Sequence, residues 1–218
     1  MSTPFDQSAY QVRFEWGAEG LARLAPADVV VVVDVLRFSS ALVDAVVESP
    51  VSLEEARRGS ADGAAVADAA SDTLLLVGGL RNATAVAEAI LGVQEERQRR
   101  TSVAIVAAGE SAPEGGLRFA VEDQLGAGAI ISALSDRGID HSSPEAAVAA
   151  ESFRGLRQAV RHLLSGSGSG RGIAQGGAAG AAAEEGAFAA SVTVREAAAL
   201  DDSTVVPTLR DGVFVPLG

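Results

Sequence analysis

Residues 28–36 read Asp-Val-Val-Val-Val-Val-Asp-Val-Leu, and Arg-Phe-Ser-Ser follows at 37–40. Consecutive β-branched side chains lose rotamer freedom in a helix and pack well on a pleated sheet. A valine run without polar alternation leaves no face for water, so it predicts a central strand covered on both sides. Asp34 and Arg37 then fall where that strand ends. In open α/β sheets the crevice beyond the carboxyl ends of the strands is the usual ligand site.

The rest of the chain alternates strands with helices. Gln11–Trp16 reads as a strand and Ala18–Leu24 as a short helix. After the valine strand, Ser39 or Ser40 can cap a helix running to about Glu48, and Ser52 with Glu55 has the spacing of a capping box. Thr73–Val77 and Val103–Ala108 read as buried strands; Asn82 can cap a helix over Ala83–Arg100. Val121–Leu134 and Ser143–Leu164 read as helices. Thr204–Pro207 and Gly212–Val215 flank an Asp211-Gly212 turn and suggest a terminal hairpin. This order predicts a three-layer α/β/α domain with a mixed, largely parallel sheet, spanning residues 1–218 as one unit. Residues 165–187, rich in Gly, Ser and Ala, read as a low-complexity, mobile surface connection, or else as a lid ordering over a bound anion.

Charge and composition exclude several chemistries. The net charge of −12 argues against non-specific nucleic-acid binding. It leaves room for an anionic small molecule, because local arginines or a metal can reverse the field. The absence of cysteine removes thiolate nucleophiles, thiolate metal sites and disulfides. No Gly-x-Gly-x-x-Gly follows a strand, and a chain without lysine has no phosphate-binding Gly-Lys-[Ser/Thr] loop. His141 and His162 lie too far apart for a local metal pair and read as surface or packing residues. The start lacks the pattern of a signal peptide and no apolar run is long enough to span a membrane, so a cytoplasmic protein is expected.

Candidate residues cluster after three of the predicted strands: Asp34, Arg37, Ser39 and Ser40; then Arg81 and Asn82; then Glu110, with Glu122 and Asp123 about a dozen residues later. Carboxylates meeting at one sheet edge make a hard oxygen site suited to Mg²⁺, which takes one or two carboxylates plus water and phosphate oxygens. Arginines supply bidentate phosphate contacts, and helix starts at Ser39 and Asn82 supply backbone N–H groups. Simpler roles also satisfy the spacing. Asp34 can cap the following helix, Arg37 can pair with Asp34, Asn82 can be only a cap, and Glu122-Asp123 can be a solvated first turn. Asp34-Val-Leu36 is not the Asp-x-Asp of aspartyl-phosphate phosphatases, because leucine replaces the second carboxylate.

Several blocks together resemble the 2-phosphosulfolactate phosphatase (ComB-like) family, in its actinobacterial form. They are Gln11–Gly17, Val30–Ser40, Gly79–Ala87 and Val103–Gly128, continued by Ser143–Ala146 and by Val206-Pro207 to Phe214-Val215. The resemblance implies a ComB-like α/β/α fold and a magnesium-dependent phosphatase acting on a small phosphorylated acid. It implies acidic catalytic or metal roles for Asp34, Glu122 and Asp123, with Glu110 a further ligand. It also implies substrate contacts from Arg37, Ser39, Ser40, Arg81 and Asn82, and a homodimer. The interval 49–72 is shorter than the family's and lacks its Asn-Gly turn, Asn82 being the sole asparagine. A non-catalytic member that binds an anionic metabolite or a protein partner is the alternative.

Overall fold

The computed structural model describes residues 3–176 and 192–218. Its centre is the valine strand. β2 (Val29–Val33) is buried along its whole length and lies between two parallel neighbours, β5 (Val103–Ala107) and β4 (Leu74–Gly78). β1 (Val12–Trp16) pairs parallel outside β5. Beyond β4 the sheet turns antiparallel through β8 (Pro207–Arg210), β9 (Val213–Pro216) and the two-residue β3 (Val51–Ser52). The seven-strand order is β1-β5-β2-β4-β8-β9-β3, a mixed and largely parallel sheet as predicted.

The pleat sends alternate valines to opposite faces. Val29, Val31 and Val33 join one core with α5 (Ala83–Arg97), α6 (Val121–Ser135), α7 (Pro144–Leu156) and α8 (Val160–Gly166). Val30 and Val32 join the other with α2 (Phe38–Glu48), α3 (Leu53–Gly59) and α4 (Ala61–Ala69), while Leu24, just past α1 (Gly17–Arg23), closes its edge. Each buried valine contributes roughly 1.5–3 kcal/mol relative to exposure. The result is the expected three-layer α/β/α arrangement.

The structure departs from the sequence pattern at several boundaries. α5 stops at Arg97 rather than Arg100, because Gln98 takes a left-handed conformation, φ 50°. The single helix expected over 143–164 is divided by a 3₁₀ turn at Arg157–Ala159 into α7 and α8; Phe153, Val160 and Leu164 all stay in one core across that division. The hairpin strands lie further along the chain than expected. Asp211 and Gly212 both have positive φ, 51° and 76°, so they form a tight two-residue turn that brings Arg210 opposite Val213. Pro207 therefore opens β8 instead of closing a strand. α4 was not anticipated, although Ser60 caps it by accepting from the Gly63 N–H. The low-complexity run from 165 completes α8 and forms α9 (Gly168–Ala174), capped by Ser167; its remainder, from 177, falls outside the described residues. Among the described residues no helix is long and apolar enough to cross a membrane.

Candidate active site

Connections from β2 and β5 leave toward opposite layers, since β2 leads to α2 on one face and β5 to α6 on the other. The crevice between their carboxyl ends is thus a topological switch point of the kind that binds ligands. Asp34 follows β2, and the Gly109-Glu110 turn follows β5. α6 delivers Glu122 and Asp123 from its first turn. Gly126 makes this approach possible: a Cβ there would lie 2.6 Å from the Val35 side chain and 3.0 Å from that of Val33.

Asp123 ties the crevice together. Its two oxygens accept from the Val35 N–H (2.7 Å) and the Gly109 N–H (3.0 Å), so one carboxylate bridges the ends of β2 and β5. Asp34 is held by Ser60, whose hydroxyl donates to Oδ2 at 2.6 Å. α4 comes this close because residue 63 is glycine: a Cβ would stand 2.7 Å from Asp34 Oδ2 and 2.7 Å from Phe38 Cγ. Glu122 is 2 % exposed, and its Oε1 accepts from the Ser169 hydroxyl, which also contacts Glu110. Glu110 in turn pairs with Arg118 across the small hairpin of β6 (Glu110–Ser111) and β7 (Leu117–Arg118).

These acidic groups repel one another in a buried site. Burial first, then the charges of Asp62 and Glu122, push Asp34 up to about 6, against hydrogen bonds from Ser60 and the Phe38 N–H. Asp123 is raised well above the usual carboxylate range by burial and by Asp34 and Glu122, despite its two backbone N–H donors. Asp62, from the first turn of α4, accepts from the Ser111 hydroxyl and N–H. It also lines a cleft of about 400 Å³ with Trp16, Arg23, Glu110 and Leu117. A larger groove of about 880 Å³, lined by Thr3, Phe5, Arg23 and Pro26, holds none of these carboxylates and is less relevant to them.

The predicted residues therefore divide. Asp34, Glu122 and Asp123 converge, with Glu110 joined to them through Ser169. Ser39 and Ser40 serve the turn after β2: Ser39 Oγ accepts from the Asp34 N–H at 2.9 Å, and Ser40 Oγ donates to the Val35 carbonyl at 2.8 Å. Arg37 follows a cis peptide and is 9 % exposed; burial lowers its pKa, and its guanidinium has no bonded partner among the described residues. Arg81 is turned elsewhere. Its three nitrogens are committed to Asp44, Asp202 and the Ser40 carbonyl. Asn82 is fully buried and spends its amide on the Gly79 N–H and the Val77 and Val205 carbonyls, so it holds the turn after β4 rather than capping α5. His141 stacks against Tyr10 at 5.5 Å, a packing role.

Sequence reasoning missed Ser60, Asp62, Arg118 and Ser169. Ser60 followed by an acidic residue in the next helical turn was a legible start signal. Ser169 was hidden in the Gly-Ser repeat.

An α/β sheet with an acid-lined switch-point crevice defines a class of small-molecule enzymes rather than one reaction. The reaction class comes from similarity: residues 60–212, more than half of the chain, match the 2-phosphosulpholactate phosphatase family. The chain belongs to that family and is a phosphoric monoester hydrolase. The match takes in Glu110, Glu122 and Asp123 and begins after Asp34. No curated protein matches the sequence.

Proposed function

We propose that this phosphatase hydrolyses a small phosphorylated hydroxy acid of the 2-phosphosulfolactate type, with Mg²⁺ held at the Asp34–Glu122 crevice. The observation that carries the reading is the convergence of Asp34, Glu122 and Asp123 in a buried crevice, where Glu122 raises the proton affinity of Asp34 and both raise that of Asp123. Uncompensated buried carboxylates are costly unless a cation joins them.

The donor set fits magnesium in kind, being all hard oxygen. Among the described residues no three acidic or imidazole side chains stand close enough to enclose a metal together. Mg²⁺ keeps several waters and takes one or two carboxylates, so it needs no such cage. Asp34 and Glu122 would hold it, while Asp123 anchors the turns beside them through two backbone N–H groups. Bound there, the ion supplies charge neutralisation at the phosphoryl oxygens and a more acidic water.

The chain's own groups do the rest. Asp123 keeps the β2 and β5 ends at a fixed separation. Asp34 Oδ1, opposite the oxygen bonded to Ser60, accepts the proton of the attacking water; burial beside Asp62 and Glu122 makes this carboxyl more basic than an ordinary aspartate before a cation binds. Direct attack by Asp34 is less favoured, since Leu36 stands where a second carboxylate would assist. Arg37 contacts the phosphate or acid group, a use consistent with a buried guanidinium that has no bonded partner among the described residues.

The test is phosphate release from 2-phosphosulfolactate and a panel of phosphomonoesters, using chelator-treated protein with and without Mg²⁺. Release only with the metal, abolished in Asp34→Asn with the fold intact, is the expected result. Turnover that survives chelation, or unchanged turnover in Asp34→Asn, refutes it. Arg37→Ala should raise KM for anionic substrates at least tenfold.

A further inference from the structure

The Gly166–Gly170 run has the composition of a linker, yet its side chains have specific tasks in the fold. Ser167 Oγ accepts from the Gly170 N–H at 3.0 Å and donates to the Leu164 carbonyl at 2.9 Å, which fixes the turn between α8 and α9. Ser169 is 5 % exposed. Its hydroxyl meets Glu110 Oε1 and Glu122 Oε1, carboxylates carried by β6 and by the first turn of α6. Gly168 admits Arg118: a Cβ there would lie 2.7 Å from Arg118 Nη2. The same guanidinium binds the other oxygen of Glu110.

We propose that Ser169 is a positioning residue of the phosphatase site, setting the spacing and rotamers of Glu110 and Glu122 so that Glu122 is presented to the cation. This rests on the magnesium reading above. Two carboxylates from separate elements repel and rotate apart unless a shared group holds them. The Ser169 hydroxyl stands between them and gives its one proton to either in turn, and the Arg118 guanidinium lying over Gly168 supplies the second donor that holds Glu110 there. The rival role is purely structural, with the hydroxyl filling a buried polar slot and leaving the site indifferent to its loss. Partners of metal-binding carboxylates typically change metal affinity or activity by 10–100-fold when removed, which separates the two roles.

The experiment titrates Mg²⁺ by calorimetry into the full-length protein without substrate, and measures kcat and KM for phosphate release. It compares wild type with Ser169→Ala, Ser169→Thr, Arg118→Ala and Ser143→Ala. Ser143 caps α7 by accepting from the Ala146 N–H, so its loss lowers stability without touching the acidic residues. Ser169→Ala should weaken Mg²⁺ binding about tenfold and lower kcat more than it raises KM. Ser169→Thr, which keeps the hydroxyl, should recover most of both, and Ser143→Ala should keep wild-type affinity. Arg118→Ala, at a side chain 55 % exposed, should show a smaller loss in the same direction, and it carries the test if Ser169→Ala does not fold. Wild-type affinity and kcat in Ser169→Ala, or in Arg118→Ala where that variant carries the test, overturn the proposal. So do losses that merely track melting temperature across the set. A wild-type protein that neither binds Mg²⁺ nor releases phosphate defeats the parent reading, and that result is visible before any variant is compared.

Discussion

Asp34 stores a measurable quantity of instability. It is wholly buried, and its carboxyl is pushed from 3.8 to about 6. At 1.36 kcal/mol per unit this costs the metal-free fold about 3 kcal/mol once the group is ionised. The folded state holds its proton more tightly than the unfolded chain does. The penalty is therefore absent below pH 3.8, where both states are protonated, and the stability is lost progressively as pH rises through about 6. Asp34→Asn removes the charge at every pH. The new amide still accepts from Ser60, but its NH₂ must find an acceptor, which takes back about 1 kcal/mol. Above pH 7 the variant should be more stable than metal-free wild type by roughly 2 kcal/mol, or ~4–8 °C in Tm for a chain of this size. Below pH 4 the advantage should vanish and reverse slightly. Urea titrations of both proteins at half-unit intervals from pH 4 to 8, in chelator, give the difference directly; ionisations remote from the crevice cancel in it, while Asp123, which the Asp34 charge helps to raise, adds to it in the same direction. A difference that stays flat with pH refutes the reasoning, whatever its size. Saturating Mg²⁺ should close the gap from the wild-type side, because a ligand that binds only the folded state stabilises it by mass action.

Other perturbations separate structural residues from those that serve the crevice. Arg81→Met should cost about 1–2 kcal/mol in urea unfolding, chiefly through the buried Ser40 carbonyl, because Asp44 and Asp202 are 58 % and 37 % exposed and rehydrate, while KM stays near wild type; a tenfold rise in KM at unchanged stability would return Arg81 to the substrate. Asn82→Ala leaves a buried N–H and two carbonyls without partners, for a loss of about 2–4 kcal/mol; full stability by chemical denaturation would contradict the role given to its amide. Gly63→Ala places a methyl 2.7 Å from Asp34 Oδ2, so it should cost about 1–3 kcal/mol and shift the pH dependence of stability, read by the same urea series.

The sheet was legible because its signal is local. A valine run fixes a two-faced strand whatever surrounds it, and the strands at 74–78 and 103–107 carry the same apolar continuity. Boundaries were less legible where backbone conformation decides them. Nothing in the composition of Gln98 announces a left-handed residue, and the hairpin strands depended on both Asp211 and Gly212 taking positive φ. The Gly-Ser repeat failed for another reason. Composition treats its residues as interchangeable, whereas each is selected by a different neighbour: Ser167 by Leu164 and Gly170, Gly168 by Arg118, Ser169 by Glu110 and Glu122.

For the site, sequence order located backbone positions well and side-chain directions poorly. Arg81 follows a strand whose carboxyl end opens on the same edge as Asp34, so spacing alone assigns it to the ligand. Direction is decided by charge: Asp44 and Asp202 capture it from the flank, at 2.6 and 3.0 Å. What remains near the crevice is an excess of acid, with Arg37 unbonded among the described residues and Arg118 already paired to Glu110. A chain of net charge −12 with such a crevice would repel a phosphorylated acid if its own arginines were the only positive groups. The proposed cation resolves this without further basic residues, because one divalent ion offsets Asp34 and Glu122 together and leaves phosphate oxygens as the natural remaining ligands. Anion affinity should then depend on Mg²⁺ far more steeply than on Arg37. Equilibrium binding of a non-hydrolysable phosphonate, with and without the metal, decides between them: comparable affinity in chelator would place recognition on arginine instead.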